Sequence, residues 1–465
     1  MKAFIYKIFS IKEKDSSIKK EIIGGILTFI AMCYVLPVNA GILSAMGMSS
    51  AGVFAMTAIL SFITSMIMGL VANYPVALSS GMGLNAYITY SVSLGMGFTW
   101  QQSLIILTIS GIAFFVLSLT PIRKRIVEAI PRDIQAIISA AFGAFICFVG
   151  LKGSGLVVTN SDTLVSLGSF SNPGLVISLV CTLVCFGLLM TKNKLLSNLA
   201  IPLSIVLAAV AGIVTSSIMG SSVTPEMNLP SFGGRFGLSG VEDVLLFGVF
   251  SKEGYHTLGE DLLTIVKNPA SYLAIFSLCF VNLFNTTATL YAIGQDAGMM
   301  DENGKFVNYK KTIIADSTGA LICGPCGTST VTPFVESSIG IECGARTGLS
   351  TVITALLFLL AAFVYPVFSI FTAGSVTAPA LIAVGGMIFV NNLKQVDMKN
   401  PIIGFTAFIT ILFSVLTYSI SNAIGFGLIF YSVMMLLAGK GKEVGKAIYI
   451  ISGAFVISFI LTALI

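Results

Sequence analysis

The sequence carries very little charge. Only 10% of its 465 residues are Asp, Glu, Lys or Arg, whereas soluble domains carry about 25%. Hydrophobic residues make up 56% of the chain, and the mean hydropathy is +0.98. This composition excludes an ordinary water-soluble domain, because its surface would be too apolar. Several apolar runs approach the roughly 20 residues that cross a bilayer, so we predict a membrane protein with many spans.

Histidine is nearly absent, and cysteine follows no metal or disulfide pattern. The chain has one histidine, His256, and its eight cysteines all lie in or beside apolar segments. We therefore expect no metal site, no cofactor and no disulfide framework. The motif CGPC at Cys323–Cys326 resembles a thioredoxin redox motif, but it lacks the soluble strand–helix context that such a motif needs. Packed thiols are the favoured interpretation, and an intramembrane redox enzyme is kept as a competing function.

Apolar segments recur along the chain and predict fourteen membrane spans. The stretch before them, 1–21, is charged and lacks the apolar centre of a secretory signal, so we expect a cytoplasmic tail. The predicted spans are 22–39, 51–72, 76–97, 100–119, 134–151, 173–191, 199–218, 270–292, 310–324, 328–343, 346–371, 375–393, 401–418 and 421–438. A further apolar run, 446–464, is either a fifteenth span or a helix at the membrane interface.

The basic residues fall almost entirely on one side of this arrangement. With a cytoplasmic N-terminus, 21 of the 25 Lys and Arg residues lie in cytoplasmic segments, and only Lys152, Arg235, Lys252 and Lys267 do not. Such a bias is typical of membrane proteins, whose basic loops stay in the cytoplasm. We do not take it as a sign of nucleic-acid binding. We expect the membrane to be the plasma membrane. The long polar stretch 219–269 is then extracellular, as an ordered cap or a flexible loop.

Fourteen spans divide into two halves of seven. Because seven is odd, the second half enters the bilayer from the opposite side, which makes the halves candidate inverted repeats. The third segment of each half is interrupted. YPVALSSGMGLNA (Tyr74–Ala86) and GTSTVTPFVESSIG (Gly327–Gly340) each predict a short extended piece followed by a half-helix. Such backbone survives in a membrane only when it is buried in protein or lines a cavity, so the pair predicts a transport site.

Two acids lie within the predicted spans. Ionisable residues at membrane depth are costly, and each is a functional candidate for that reason. Glu336, in the second broken segment, can take up a proton and can accept hydrogen bonds from the N–H groups of a ligand. Its competing role is a structural cap on a half-helix. Asp316, in the ninth span, is a second candidate for proton coupling, with helix packing or gating as the alternatives.

The eighth span carries a polar face. In FVNLFNTTATL (Phe280–Leu290), helical spacing places Asn282, Asn285, Thr286 and Thr289 on one side. That face suits a water-lined pocket, and Asn285 and Thr286 are its predicted substrate contacts. Hydrogen bonding between helices is the alternative.

The broken segments contribute three further candidates. Asn85 offers two donors and an acceptor to a flat heterocycle, or it ties two helices together. Phe334 can stack on an aromatic ligand or simply fill space. Thr332, in the same segment, is also a predicted substrate contact.

Four segments together resemble the signature segments of a known family. They are NYPVALSSGMGLNAY, FVNLFNTTATL, GTSTVTPFVESSIG and ARTGLSTVITALLFLL. In this order and spacing, the chain from about residue 22 to about residue 439 resembles the AzgA-like purine permeases. These form a branch of the nucleobase–cation symporters, within the nucleobase–ascorbate transporter superfamily.

The resemblance implies a fold and a division of the chain. The fold is an all-α polytopic membrane protein with 14 transmembrane segments as 7+7 inverted repeats and a short β-strand in segments 3 and 10. The core domain comprises 22–119 and 270–371. The gate domain comprises 134–218 and 375–438.

The resemblance also implies a function. The chain would import adenine, guanine or hypoxanthine together with protons, as the core moves against the gate in alternating access. Glu336 would be the acid that binds the base, Asn85 a polar contact, and Phe334 an aromatic neighbour of the base. The sequence leaves the oligomeric state open, with a homodimer as the candidate assembly.

The chain departs from the family's pattern at the eighth span. The usual motif F-D-T-T-G-T reads FNTTAT here, so Asn285 replaces the acid and Ala288 replaces the glycine. Proton coupling then rests on Glu336, is weak, or accompanies a different substrate. A carrier of another nucleobase such as uracil or xanthine, or a uniporter, is the alternative. A channel is disfavoured because the segments lack a ring of pore-lining charges.

Overall fold

A computed structural model describes residues 2–120, 123, 130–222, 227, 229–231, 233–251, 255–296, 299–300 and 309–463. The helices of the first half are Lys2–Phe9, Ile18–Met32, Val35–Ser44, Ser50–Ile67, Met82–Ala86, Trp100–Leu119, Arg132–Gly153, Pro173–Leu189, Lys194–Asn198 and Ala200–Met219. Two of them continue as π-helix, at Met68–Ala72 and Tyr87–Gly95.

Two short helices, Val241–Val244 and Leu258–Lys267, lie in the stretch 219–269. The helices that follow are Pro269–Asp296, Tyr309–Ile322, Ser337–Glu342, Gly348–Ala361, Tyr365–Phe368, Gly374–Leu393, Pro401–Leu416, Ile420–Leu437 and Lys446–Ala463. Short 3-10 turns lie at Gly220–Ser222, Leu245–Gly248, Ser369–Phe371 and Gly441–Glu443.

Eight helices of the described residues are long and apolar enough to cross a membrane. The bent pair Gly348–Ala361 and Tyr365–Phe371, which turns by 94°, makes a ninth if it is one span. The other predicted spans correspond to shorter or broken helices. A multi-pass membrane protein is therefore confirmed, and the count of fourteen and the inverted repeat stay predictions.

The two strands expected in segments 3 and 10 are present and pair with each other. Strand β1 is Leu78–Ser80, and its antiparallel partner β4 is Val331–Pro333. Leu78 lies opposite Pro333, and Ser80 lies opposite Val331. All six residues of the pair are buried, so this small sheet joins the two halves of the chain in the interior.

Helix Ser50–Ile67 supplies hydroxyls to the outer edge of this sheet. The Ser65 hydroxyl donates to the Leu78 carbonyl at 3.0 Å and accepts from the Leu78 N–H at 2.9 Å. One turn earlier, the hydroxyls of Ser61 and Ser79 are 2.7 Å apart. Because residues four apart share a helix face, both serines lie along β1. Ser65 bonds to its backbone as a neighbouring strand would, and Ser61 bonds to a side-chain hydroxyl. The edge thus has partners where water is absent.

The helices pack in two groups. The strand-bearing group combines Ile18–Met32, Ser50–Ile67 and Trp100–Leu119 with Tyr309–Ile322 and Gly348–Ala361. The second group is built around Arg132–Gly153 and Gly374–Leu393, which pack closely against each other. Close approach depends on small residues here: a Cβ on Gly143 would lie 2.6 Å from the carbonyl oxygen of Gly385.

The remaining members of the second group are Pro173–Leu189, Ala200–Met219, Pro401–Leu416 and Ile420–Leu437. C-terminal helix Lys446–Ala463 packs against both Ile420–Leu437 and Pro269–Asp296. There the Phe455 and Phe276 rings are 5.6 Å apart. Whether this helix crosses the membrane stays open between the two predicted alternatives.

Polar contacts join the N-terminal tail to two of the loops that the sequence predicts on the cytoplasmic side. Glu21 is fully buried and accepts from the N–H groups of Arg346 at 2.9 Å and Ser350 at 3.2 Å, which caps the start of helix Gly348–Ala361. Lys14 donates to the Asn73 carbonyl at 2.8 Å, and burial lowers the pKa of Lys14. These contacts agree with the predicted grouping of the loops, and the orientation towards the cytoplasm stays a prediction.

Two features lie outside the predicted spans. A hairpin of β2 (Val157–Asn160) and β3 (Leu164–Leu167), which the hydropathy pattern did not indicate, follows helix Arg132–Gly153. The described part of loop 219–269 is partly ordered, since the Asp261 carboxylate accepts from Gln102 at 2.6 Å and from Tyr255 at 2.7 Å. His256 in that loop is exposed.

The partnership between Ser65 and β1 predicts a specific loss of stability. Ser65→Ala leaves the Leu78 N–H and C=O without that partner in the interior, which costs about 1–3 kcal/mol. We expect a lower thermal unfolding temperature of the purified protein in detergent. Ser414→Ala is the matched control, because the Ser414 hydroxyl is equally buried but bonds to Ile411 within its own helix. Equal shifts in the two variants would contradict the role of Ser65.

Candidate functional site

The first broken segment places Asn85 beside the strand pair. Gly81 follows β1 with extended backbone, and its N–H donates to the Thr330 carbonyl at 2.9 Å. A Cβ at Gly81 would lie 2.9 Å from the Thr332 hydroxyl oxygen, which explains why a glycine is needed at this turn. Helix Met82–Ala86 then begins, and it carries Asn85 on its first turn.

Asn85 has one end of its amide held and the other without a partner. Its side chain is fully buried, and Oδ1 accepts a hydrogen bond from the Ser329 hydroxyl. Ser329 is in turn 2.8 Å from the Ser80 hydroxyl across the strand pair. The amide nitrogen Nδ2 has no hydrogen-bond partner among the described residues. Because a buried donor without a partner is costly, Nδ2 is suited to a ligand acceptor.

The second broken segment places Glu336 at the start of its half-helix. Pro333 ends β4, and Glu336 directly precedes helix Ser337–Glu342. The Glu336 side chain is partly exposed, and its neighbour Val335 is 52% exposed. Oε1 of Glu336 accepts a hydrogen bond of 2.7 Å from the Tyr34 hydroxyl. One oxygen of the carboxylate is thus anchored in a partly exposed residue, and a carboxylate can accept an N–H group or a proton.

The sheet fixes where the two half-helices begin. β1 and β4 are antiparallel, so the helix that carries Asn85 leaves at the Val331 end of the pair. The helix that follows Glu336 leaves at the other end, where Phe334 N–H donates to the Ala77 carbonyl at 3.1 Å. Three strand residues span roughly 7–10 Å at about 3.3 Å per residue. The two predicted contacts therefore flank one short sheet, each on the first turn of its helix or just before it.

Phe334 and Thr332 occupy the sheet between these helices. Phe334 is 7% exposed and Thr332 is 2% exposed. Thr332 lies opposite Ser79 in the strand register. Phe334 packs within the apolar interior, so both residues are part of the wall that joins the two broken segments.

The long helix Pro269–Asp296 lies against the same region. It packs on β4, on helix Ser337–Glu342 and on helix Met82–Ala86. Of its predicted polar face, Asn282 and Thr286 are buried and Asn285 is partly exposed. No hydrogen bond among the described residues links Asn285 or Thr286 to Glu336 or Asn85. The position of the helix agrees with the predicted pocket, and contacts to a substrate stay predictions.

Asp316 belongs to a second buried cluster. It accepts from the Thr286 hydroxyl at 3.2 Å, and its other oxygen lies 4.0 Å from Nη1 of Arg123. Arg123 is only 2% exposed, lies 4.8 Å from the centre of the Phe114 ring, and donates to Ser118 at 3.0 Å. The sequence predicts Arg123 as one of the loop charges that set orientation, whereas its side chain is buried. Its apolar stacking partner, Phe114, gives no sequence signal of this contact.

Tyr34 is the site residue that sequence reasoning missed. It follows helix Ile18–Met32 and directly precedes helix Val35–Ser44. Pro37 explains the interruption: it has no N–H to give to the carbonyl four residues earlier, at Cys33, and Cys33 accepts from Leu36 instead at 3.2 Å. Pro37 inside the first predicted span was the available signal of a break beside Tyr34.

The cysteines are all free thiols in the structure. Cys323 is buried, and Cys326 of the same CGPC motif is partly buried. Both lie where helix Tyr309–Ile322 turns towards β4. Cys323 packs within the apolar interior and Cys326 packs against it, and the Cys323 thiol also donates to the Ala320 carbonyl at 3.1 Å.

Known proteins resemble this chain over the residues that form the candidate site. The permease family matches residues 19–422, which include both broken segments and the helix between them. A guanine/hypoxanthine permease of Bacillus subtilis, PbuG, is 36% identical over 467 residues, which cover 97% of this chain and 98% of that protein. An adenine permease of Escherichia coli, AdeQ, is 30% identical and covers 98% of this chain and 96% of that protein.

The solved structures add the likeness in fold. The transmembrane domain of the cyanobacterial bicarbonate transporter BicA superposes with a TM-score of 0.61 at 13% identity. The match covers 88% of this chain and 97% of that domain. Since the fold, the family match and the near-full-length relatives agree, this chain belongs to the permease family and is a membrane transport protein, not an enzyme.

Proposed function

We propose that the protein is a secondary active transporter that imports the purine nucleobases guanine, hypoxanthine and adenine together with protons. The observation that carries the proposal is the pair of broken segments. They place a partly exposed acid, Glu336, and an amide donor without a partner among the described residues, Asn85, beside one strand pair. The guanine/hypoxanthine and adenine permeases among its relatives support the substrate class.

The chemistry of the two groups matches a purine edge. A purine carries ring N–H groups next to carbonyl oxygens or bare ring nitrogens, so it needs both an acceptor and a donor. The Glu336 carboxylate accepts and the Asn85 amide nitrogen donates. In this proposal Phe334 lies beside the ring, and Thr332, Asn285 and Thr286 line the pocket. Guanine, hypoxanthine and adenine all present such an edge, so these two groups alone do not rank them.

Transport itself proceeds by alternating access in this proposal. The strand-bearing group acts as the core domain, formed by 22–119 and 270–371, and the second group acts as the gate domain, formed by 134–218 and 375–438. Support comes from contacts between the groups: the Ser91 hydroxyl donates to the Tyr418 carbonyl at 2.7 Å, and Tyr87 bonds to Ser421. Such side-chain contacts can break when one group moves against the other.

Proton coupling is assigned to Glu336, with Asp316 as the second acid. The protein is placed in the plasma membrane with its N-terminus in the cytoplasm, as a monomer or a homodimer. One feature favours a second candidate function: this chain has Asn285 where the motif of the resembled family carries an acid, and Asn does not take up a proton. The alternative is a nucleobase uniporter, or a carrier with a different base such as uracil or xanthine.

A competition panel tests the substrate class. Uptake of radiolabelled hypoxanthine is measured in cells that lack their own purine carriers, with unlabelled bases in excess. We expect guanine, hypoxanthine and adenine to reduce uptake more than uracil or xanthine do, because the relatives named for a substrate are guanine/hypoxanthine and adenine permeases. Stronger competition by uracil or xanthine would overturn the substrate assignment and favour the alternative.

If the Glu336 carboxylate binds the base, its removal should reduce uptake. Glu336→Gln keeps the size of the side chain but turns half of it into a donor, so hypoxanthine uptake should fall at least tenfold at equal protein abundance. Glu342→Gln is the matched control, since Glu342 ends the same half-helix and is exposed. Near-normal uptake by Glu336→Gln, or equal losses in both variants, would contradict the site.

Placing an acid at position 285 should change how uptake depends on pH. Asn285→Asp restores an acid on the partly exposed face of helix Pro269–Asp296, so uptake should depend more steeply on external pH. Asn285→Ser is the neutral control and should leave the slope unchanged. Uptake is measured between pH 5 and 8 with abundance monitored by immunoblot. An unchanged slope in Asn285→Asp would place this residue outside the proton path.

A further inference from the structure

Tyr34 connects the first membrane segment to the candidate acid. Its side chain is 3% exposed, while Glu336 is partly exposed. The two residues are 302 positions apart in sequence, yet the hydroxyl of one lies 2.7 Å from Oε1 of the other. This contact reaches from the interruption at Pro37 to the interruption at Pro333. Two separate breaks in the helices therefore meet at one carboxylate.

The direction of the hydrogen bond is fixed by chemistry. An ionised carboxylate only accepts, so the Tyr34 hydroxyl is the donor. Hydrogen bonds of this charge-assisted kind are short and stronger than neutral ones. A free Glu side chain rotates about several bonds, and fixing it costs entropy when a ligand binds. The tyrosine restricts that rotation before any ligand arrives.

The same bond gives the two oxygens of Glu336 different roles. Oε1 is held by the phenol, and among the described residues no other side chain hydrogen-bonds to this carboxylate. A backbone N–H also bonds to the carboxylate. Oε2, the oxygen that the phenol does not hold, is the one that we assign to a ligand N–H or to a proton. When Oε2 is protonated, Oε1 becomes the carbonyl oxygen of the acid and still accepts from Tyr34. The anchor thus persists in both protonation states.

We propose that Tyr34 is a positioning residue: it holds the Glu336 carboxylate so that Oε2 meets an N–H group of the nucleobase. This inference rests on the proposed function, because it assigns the role of Tyr34 through the base-binding acid. The competing role is packing alone, in which the ring fills space and the hydroxyl has no influence on transport. The isosteric change Tyr34→Phe separates the two, since it removes only the hydroxyl.

The first measurement is the kinetics of hypoxanthine uptake by Tyr34→Phe. We expect KM to rise roughly tenfold, as for loss of a hydrogen bond to a charged group, while the maximal rate per transporter changes less than about twofold. The pH dependence of uptake should also change, because Tyr34 acts on a titrating group. Tyr365→Phe is the matched control: Tyr365 is a buried tyrosine whose hydroxyl bonds to Ser50 at 3.2 Å, and it should change neither property.

The second measurement is a double-mutant cycle with Glu336→Gln. Binding is read as thermal stabilisation of the purified protein by hypoxanthine, which does not require transport. If Tyr34 acts through Glu336, Tyr34→Phe should weaken binding in the wild type and add little in Glu336→Gln. Equal losses in both backgrounds would assign Tyr34 a role independent of the acid. Where Glu336→Gln abolishes detectable binding, the KM and pH results for Tyr34→Phe decide.

Poor accumulation of Tyr34→Phe is also informative. Removing the phenol leaves a partly buried carboxylate without its donor, so adding Glu336→Gln should restore abundance. Persistent loss in the double variant would instead assign a packing role and overturn the proposal. Wild-type KM and pH dependence in Tyr34→Phe would overturn it as well. Failure of the proposed function looks different, because the wild-type protein itself would then neither take up nor bind purines.

Discussion

The arrangement of this protein depends on one constraint, which is that peptide groups at membrane depth have no water to bond. Helices satisfy their own N–H and C=O groups, and a broken segment does not. Here each broken segment satisfies the other through the pairing of β1 and β4. Hydroxyls complete the pairing, since Ser65 bonds to both polar groups of Leu78 and Ser337 accepts from the Ala77 N–H at 3.0 Å. Each unpaired group would cost about 1–3 kcal/mol, so neither break is stable without the other.

This constraint also creates the candidate site. Because the two segments must meet, residues from distant parts of the chain are held together without any ligand. Ser329 reaches Asn85 across the sheet, and Tyr34 reaches Glu336 from a third interruption. A helix that begins inside the protein leaves its first N–H groups without intrahelical partners. Two such helices beside one sheet concentrate polar groups in an apolar interior, which is a suitable setting for recognition of a small polar ring.

The sequence predicted the local features of this arrangement and missed the long-range ones. Gly81 and Pro333 mark the breaks because their effects on the backbone are local. Glu336 and Asn85 stand out because polar groups are rare in such segments. The roles of Tyr34, Ser329 and Arg123 depend on which segments come together, and composition carries no information about that. The hairpin at 157–167 was missed for a different reason, since its two strands have only four residues each and hydropathy detects long apolar runs.

The two acids at membrane depth, Glu336 and Asp316, differ in the charges that surround them. Asp316 has a cation, Arg123, at 4.0 Å, so that cluster is close to neutral as a whole. Among the described residues, the hydrogen-bond partners of the Glu336 carboxylate are neutral: the Tyr34 phenol and a backbone N–H. If the strand-bearing group moves relative to the membrane, an ionised Glu336 carries a net charge through low dielectric, and a protonated one does not. Under the proposed function, one acid with a neutral partner is therefore sufficient for coupling, even though Asn285 supplies no second acid on the neighbouring helix.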